Sequence, residues 1–215
     1  MATEGAAKGL PVENDDSIVD WAREHSNKLA VGGIVLAVVL AVGMLWRASA
    51  EKKEVNASAA LARVEGVVSS GNAALAQSDL QDFLRRYDGT TASVQARMLL
   101  AKVLFSQGKA EEGLRELDQV SSPGAFASSY HALRASGLEQ AERPAEAAAA
   151  YEAAAAAATS VPAKAANQAD AARAYLNAGR RDDARRIWSA MAADDANPMS
   201  GEARVRLGEL DATPG

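Results

Sequence analysis

The chain has 215 residues, no cysteine and two histidines; 48% of it is hydrophobic but only 5% aromatic, and alanine alone makes up about a quarter of it. These counts exclude a disulfide framework, a thiolate metal site and a cysteine nucleophile, and leave little imidazole for a histidine-based centre. A formal net charge of −5 argues against nucleic acid as a partner, because neutralising phosphates calls for a basic surface.

Residues 1–28 form an acidic tail with six Asp/Glu against three Lys/Arg. Its last half, 15–28, reads as a short amphipathic helix capped by Asp15 or Asp16, with Ile18, Trp21, Ala22 and His25 on one stripe and Trp21 as an interfacial anchor. Residues 29–46, LAVGGIVLAVVLAVGMLW, carry no charge. At about 1.5 Å per residue they make a helix about 27 Å long, close to the hydrocarbon core of a bilayer at about 30 Å. The run is apolar on every side, so it reads as one transmembrane helix rather than a core helix with a polar face.

Ala48, Ser49 and Ala50 have the A-x-A form of a signal-peptidase site, but the acidic tail, the long apolar run and Arg47 favour an uncleaved anchor. Arg23 and Lys28 on one side oppose Arg47, Lys52 and Lys53 on the other, so charge does not orient the span. Gly33, Ala37 and Ala41 form a small-xxx-small face suited to close packing of transmembrane helices.

From 47 to 215 the chain is nearly neutral, with 20 Lys/Arg and 22 Asp/Glu. Few aromatic or β-branched residues and much alanine, leucine, arginine and glutamate make this an all-α domain. Gly and Pro punctuation near Gly71, Gly89, Gly108, Pro123, Pro144, Pro162, Gly179 and Pro198 divides it into paired helical blocks. Phe83, Leu117 and Tyr151 are spaced by 34 residues and Trp188 follows after 37. Small residues precede the last three at Gly113, Ala147 and Ala184, while Ala101, Ala135 and Ala172, followed by Leu104, Leu138 and Tyr175, mark the helices before them. This helix-turn-helix period resembles the tetratricopeptide repeat, whose small residues sit where paired helices cross. The expected architecture is an α-α superhelix of about four degenerate repeats. In this register the first repeat is the poorest, with Asp79 at a small position and Ser70 at a large apolar one. The extra three residues before Trp188 fit a lengthened helix in the alanine run 147–158.

No reactive cluster stands out. His25 and His131 lack ligand neighbours at helical spacing, and the pairs Glu111-Glu112, Asp182-Asp183 and Asp194-Asp195 fall at turns or first helical turns, where carboxylates suit the helix dipole. Arg180, Arg181, Arg185 and Arg186 are offset by the acids between them and read as a solvated face. The chain is therefore read as a non-enzyme without cofactor, metal or small-molecule substrate. Its binding surface is expected on the concave side lined by the first helix of each pair, with Met98, Lys102, Phe105, Ser136, Glu139, Arg173 and Asn177 on it.

The segment Trp21-Ala22-Arg23-Glu24-His25-Ser26-Asn27-Lys28 running into Leu29-Ala30-Val31-Gly32, one span, then Phe83, Tyr87 and Leu99-Leu100-Ala101 in a repeat domain, resembles the YfgM family. Gly179, Ala184, Arg185 and Trp188 add to the likeness. The resemblance implies a single-pass inner-membrane protein, an ancillary subunit of the Sec translocon that works with a membrane-anchored periplasmic chaperone and exported proteins. It also implies a cytoplasmic N-terminus and a periplasmic repeat domain, which charge alone does not supply. The alternative is a structural or sensory single-pass protein that self-associates without translocon contact.

Overall fold

In the computed structural model residues 25–212 are described; within 26–30 and 32–36 the description stops at the backbone. The chain divides into two compact units, Met1–Lys52 and Lys53–Gly215. All regular structure among the described residues is helical. The expected helix at 15–28 falls mostly outside the described residues.

Helix α1, Ser26–Ser69, runs 44 residues and contains the whole apolar run. Among the described residues no helix carries a stretch long and apolar enough to cross a membrane; the side chains at 29–30 and 32–36 of the expected span, with Gly33 of its small-residue face, lie outside them. Of the described part, Val38, Val39, Leu40, Val42, Met44, Leu45 and Trp46 are each between 54% and 82% exposed. At about 100° per residue these positions sample every side of the helix.

The second unit continues through α2 (Ala73–Tyr87), α3 (Thr91–Ser106), α4 (Ala110–Asp118), a 3-10 turn (Gly124–Phe126), α5 (Ala127–Gln140), α6 (Pro144–Ala157), α7 (Val161–Asn177), α8 (Arg181–Ala193) and α9 (Ser200–Ala212). From α2 onward each helix packs against the next. The starts follow from local chemistry. The Asn72 carboxamide oxygen accepts the Leu75 N–H at 3.1 Å, the Thr90 hydroxyl accepts that of Ser93 at 3.1 Å, and the Ser160 hydroxyl accepts that of Ala163 at 3.3 Å. Pro144 and Pro162 occupy first turns, where no N–H is required. A carboxylate from α1 completes the α3 start: Glu54 accepts the Thr91 and Ala92 N–H groups at 3.0 and 3.3 Å, while the Lys53 ammonium donates to the Asp88 carbonyl at 2.7 Å.

One turn geometry recurs at the tip of each repeat. The Leu104, Leu138 and Tyr175 carbonyls accept the N–H groups of Lys109, Arg143 and Arg180 at 2.8–2.9 Å, closing the helix end around a residue of positive φ: Gly108, Glu142 or Gly179. Gly71 holds the same place in the first repeat, with φ +80°. Four residues after each turn's exit, Ala76, Gly113, Ala147 and Ala184 donate in turn to Asn72, Lys109, Arg143 and Arg180.

This corrects the first repeat. Counted from Gly71, its small position is Ala76, not Asp79, and its large position is Leu80, fully buried, not Phe83. Val67 stands where Leu104 and Leu138 stand, not Ser70. The misreading arose from carrying a 34-residue step through a repeat that steps by 37. The short α4, with nine residues, is offset by its long link to α5, and the longer steps carry longer first helices: α3 and α7 have 16 and 17 residues, whereas α5 has 14. The alanine run makes up most of α6, but at 14 residues, against 15 in α2 and 13 in α8, this helix is not lengthened as expected.

The core lies in two clusters. The first joins α1, α2 and α3 through Ala57, Leu61, Ala76, Leu80, Phe83, Leu84 and Leu100. The second runs from Ala101 and Phe105 to Leu210. Ala147, Ala148, Ala150, Ala154 and Ala155 of α6 are buried, and so are Ala165, Ala169, Ala171, Ala172 and Ala174 of the adjoining α7. The tightest approach is made by Phe105. A Cβ added at Gly113 or Gly137 would lie 2.4 or 2.3 Å from its ring, with further ring carbons at 2.7–2.8 Å. Phe105 therefore fills space that only glycine leaves open on α4 and α5.

Ala at 137 would raise helix propensity in an open helix, but here it overpacks the Phe105 ring. Gly137→Ala is expected to lower stability by about 1–3 kcal/mol in chemical denaturation, with part regained in the double variant carrying Phe105→Leu. Glu142 sits at φ +59° in a turn where its equivalents are glycine, so Glu142→Gly is expected to raise stability by about 1 kcal/mol. Gly108→Ala and Gly179→Ala, both with open space around the Cβ position, should lower it by a similar amount.

Candidate functional site: the inner face of the first helices

The first helices of consecutive repeats, α3 and α5, touch directly across the array, which brings their outward positions onto one face. Of the residues expected there, Met98 and Ser136 are half-buried, and Lys102, Glu139, Arg173 and Asn177 are exposed. Phe105 is a correction: it is buried, held between Gly113 and Gly137 in the core. The repeat register placed it on the concave side, but glycines opposite it let the ring turn inward.

The structure groups these residues unevenly. Met98 and Lys102 line a cleft of about 370 Å³ together with Glu65 of α1, Gln95 and Leu99 of α3, Phe126 of the 3-10 turn and Leu133 of α5. Arg173 borders a different cleft of about 540 Å³, with Leu176, Arg181, Trp188, Arg206 and Glu209. Its guanidinium pairs with Asp170 and, at 3.5 Å, with Glu202. Glu139 accepts a hydrogen bond from the Tyr151 hydroxyl at 3.0 Å. Burial, reinforced by that carboxylate, pushes the Tyr151 phenol well above its ordinary range, so it stays a neutral donor.

Phe126 and Leu133 had no place in the sequence reading of the site. The available signal was a Pro-Gly pair followed by one of only three phenylalanines, all within the break between two helical blocks.

Polar links tie the helices beneath this face. Arg97 reaches Asp88, Glu116 and Gln119 at 2.8–3.2 Å. Glu152 accepts from both the Tyr175 hydroxyl at 2.8 Å and Arg186 at 2.7 Å, binding α6, α7 and α8. The acid pairs Glu111-Glu112 and Asp182-Asp183 occupy the first turns of α4 and α8. No group of three or more His, Cys, Asp or Glu side chains converges as a metal site among the described residues.

A repeated helix-turn-helix unit with four equivalent turns and an inner face of first helices defines a repeat scaffold for protein-protein interaction. A model of the tetratricopeptide repeat-like domain matches residues 20–106 and 93–172. These matches take in well over half of the chain, and the chain belongs to that family. No curated protein matches it.

One titratable group beside this face carries a measurable signature. His131 on α5 meets the Tyr130 ring edge-on at 5.1 Å. Burial, and secondarily the Arg134 charge, lower its pKa. The neutral imidazole is therefore favoured in the folded chain. Its contribution is fully present above the unfolded pKa of about 6.5 and is lost as pH falls from there through the lower folded value. An NMR titration is expected to give a His131 midpoint below about 6.5. His131→Gln should flatten the part of the stability profile that declines between about pH 7 and 5; a midpoint at or above the free value would contradict the assignment.

Proposed function

We propose that this chain is a membrane-anchored protein-binding scaffold, an ancillary subunit of the Sec translocon that links it to a membrane-anchored periplasmic chaperone and to emerging proteins. In this reading α1 spans the bacterial inner membrane once, with the N-terminus cytoplasmic and the repeat domain periplasmic. The observation that carries the scaffold is the array itself, with four equivalent turns and the first helices α3 and α5 in direct contact. Such arrays present extended binding surfaces rather than reaction centres.

Two observations support the anchor. The side chains of Val38, Val39, Leu40, Val42, Met44, Leu45 and Trp46 are large, apolar and exposed on every side of α1. A water-facing helix would strand this much hydrocarbon, at about 25 cal/mol for each Å², whereas lipid would solvate it. The family match begins at residue 20, so it takes in the apolar run along with the first repeat. The translocon link rests on the resemblance of 21–32 and the later motifs to the YfgM family. Self-association through Gly33, Ala37 and Ala41 is the competing reading of the same helix.

The chain is expected to resist alkaline extraction from membranes. Affinity capture after detergent solubilisation should return translocon components identified by mass; homodimers alone would favour the competing reading. Lys102→Glu combined with Arg173→Glu should reduce capture several-fold without lowering the melting temperature, and unchanged capture would count against the inner face.

A further inference from the structure

The inner face has one place where the array departs from its own rule. The links from α2 to α3 and from α6 to α7 are short, but α4 ends at Asp118 and α5 begins only at Ala127. The intervening chain folds into the 3-10 turn Gly124–Phe126. That irregularity delivers an aromatic side chain to the inner face, where half-buried Phe126 joins Met98, Leu99 and Leu133 in the cleft of about 370 Å³.

Two other clefts differ in kind. The one between α1 and α2 is ringed by Asp79, Asp82, Arg85 and Arg86, and the one near α9 by three arginines and Glu209. Here four apolar side chains form the walls and only Glu65 and Lys102 are charged. These two have no ion-pair partner among the described residues, although Arg97, Arg134, Arg143, Arg173 and Arg186 around the array are all paired. Charges of both signs on the rim are thus left for an incoming chain. The volume lies at the small end of the range for concave sites, about 300–1,000 Å³, which suits a side chain or two rather than a folded surface. Methionine, with its flexible polarizable thioether, lets such a wall accept different apolar shapes.

We propose that this cleft is an anchor pocket for one large apolar side chain, leucine, methionine or an aromatic, of a partner polypeptide, with that partner's flanking acidic and basic residues met by Lys102 and Glu65. The inference rests on the inner face being the binding surface and names the chemistry that face selects. Phe126 sets the pocket floor or wall, and the rim pair sets charge preference.

The test uses the full chain in detergent and a Gly-Ser peptide bearing one photo-leucine between a glutamate and a lysine. Cross-links mapped by mass spectrometry are expected on Met98, Leu99, Phe126 or Leu133. An unlabelled competitor with a central leucine or phenylalanine should displace the probe at a concentration about tenfold or more below one with a central serine. Phe126→Ser should erase that difference, Phe126→Leu should keep it, and the melting temperature of each separates loss of fold from loss of pocket. Lys102→Glu should shift preference towards competitors flanked by two lysines, and Glu65→Lys towards those flanked by two glutamates. Equal competition by leucine and serine peptides, cross-links elsewhere, or an unchanged preference in folded Phe126→Ser would overturn the pocket. If Arg173→Glu abolishes partner capture while Phe126→Ser does not, the inner face stands and the pocket fails; if the chain captures no partner at all, the functional reading itself fails.

Discussion

Helices in this array can pack only where one backbone comes close to the next, and almost everything else depends on the small residues that permit it. Ala76, Gly113, Ala147 and Ala184 sit at the start of each second helix, where it leaves the turn and meets its partner. Opposite them Ala101, Ala135 and Ala172 are fully buried. With so little side chain between helices, the dispersion contacts of each interface come from backbone and methyl groups at short range. One repeated place carries a large buried residue in every repeat, Leu80, Leu117, Tyr151 and Trp188.

The same constraint accounts for the alanine run. Helix α6 lies between α5 and α7 and buries Ala147, Ala148, Ala150, Ala154 and Ala155 on the faces it turns to them. Larger side chains on both faces would force its neighbours apart and break the spacing of the stack. Orientation comes from sparse polar links, such as Glu152 between Tyr175 and Arg186, because an alanine interface has little shape of its own. A surface of first helices held in this way has fixed spacing, as a scaffold that reads a flexible partner requires.

Much of this was legible from residue types and spacing: the all-helical class, the paired blocks, the turn positions and three of the four repeats. The first repeat was misread because a period is a distance along the chain, whereas equivalence is set by the turn. Gly71 and the bond from Ala76 to Asn72 identify it, and Asp79 then falls outside the small position. Of the residues expected on the inner face, Lys102, Glu139, Arg173 and Asn177 are exposed and Met98 and Ser136 half-buried. Phe105 failed because its direction depends on Gly113 and Gly137, which lie on two other helices.

By itself, then, the sequence determined the elements and their repetition, since caps, glycine turns and helix propensity act over a few residues. It also marked the apolar run at 29–46 through composition alone. Only the tertiary structure decided which way Phe105 turns, that Phe126 reaches the inner face from an irregular link, and that Lys102 and Glu65 share a cleft while Arg173 borders another. These depend on contacts between residues far apart in the chain, where space left by one helix is filled by another, and no local pattern carries that information.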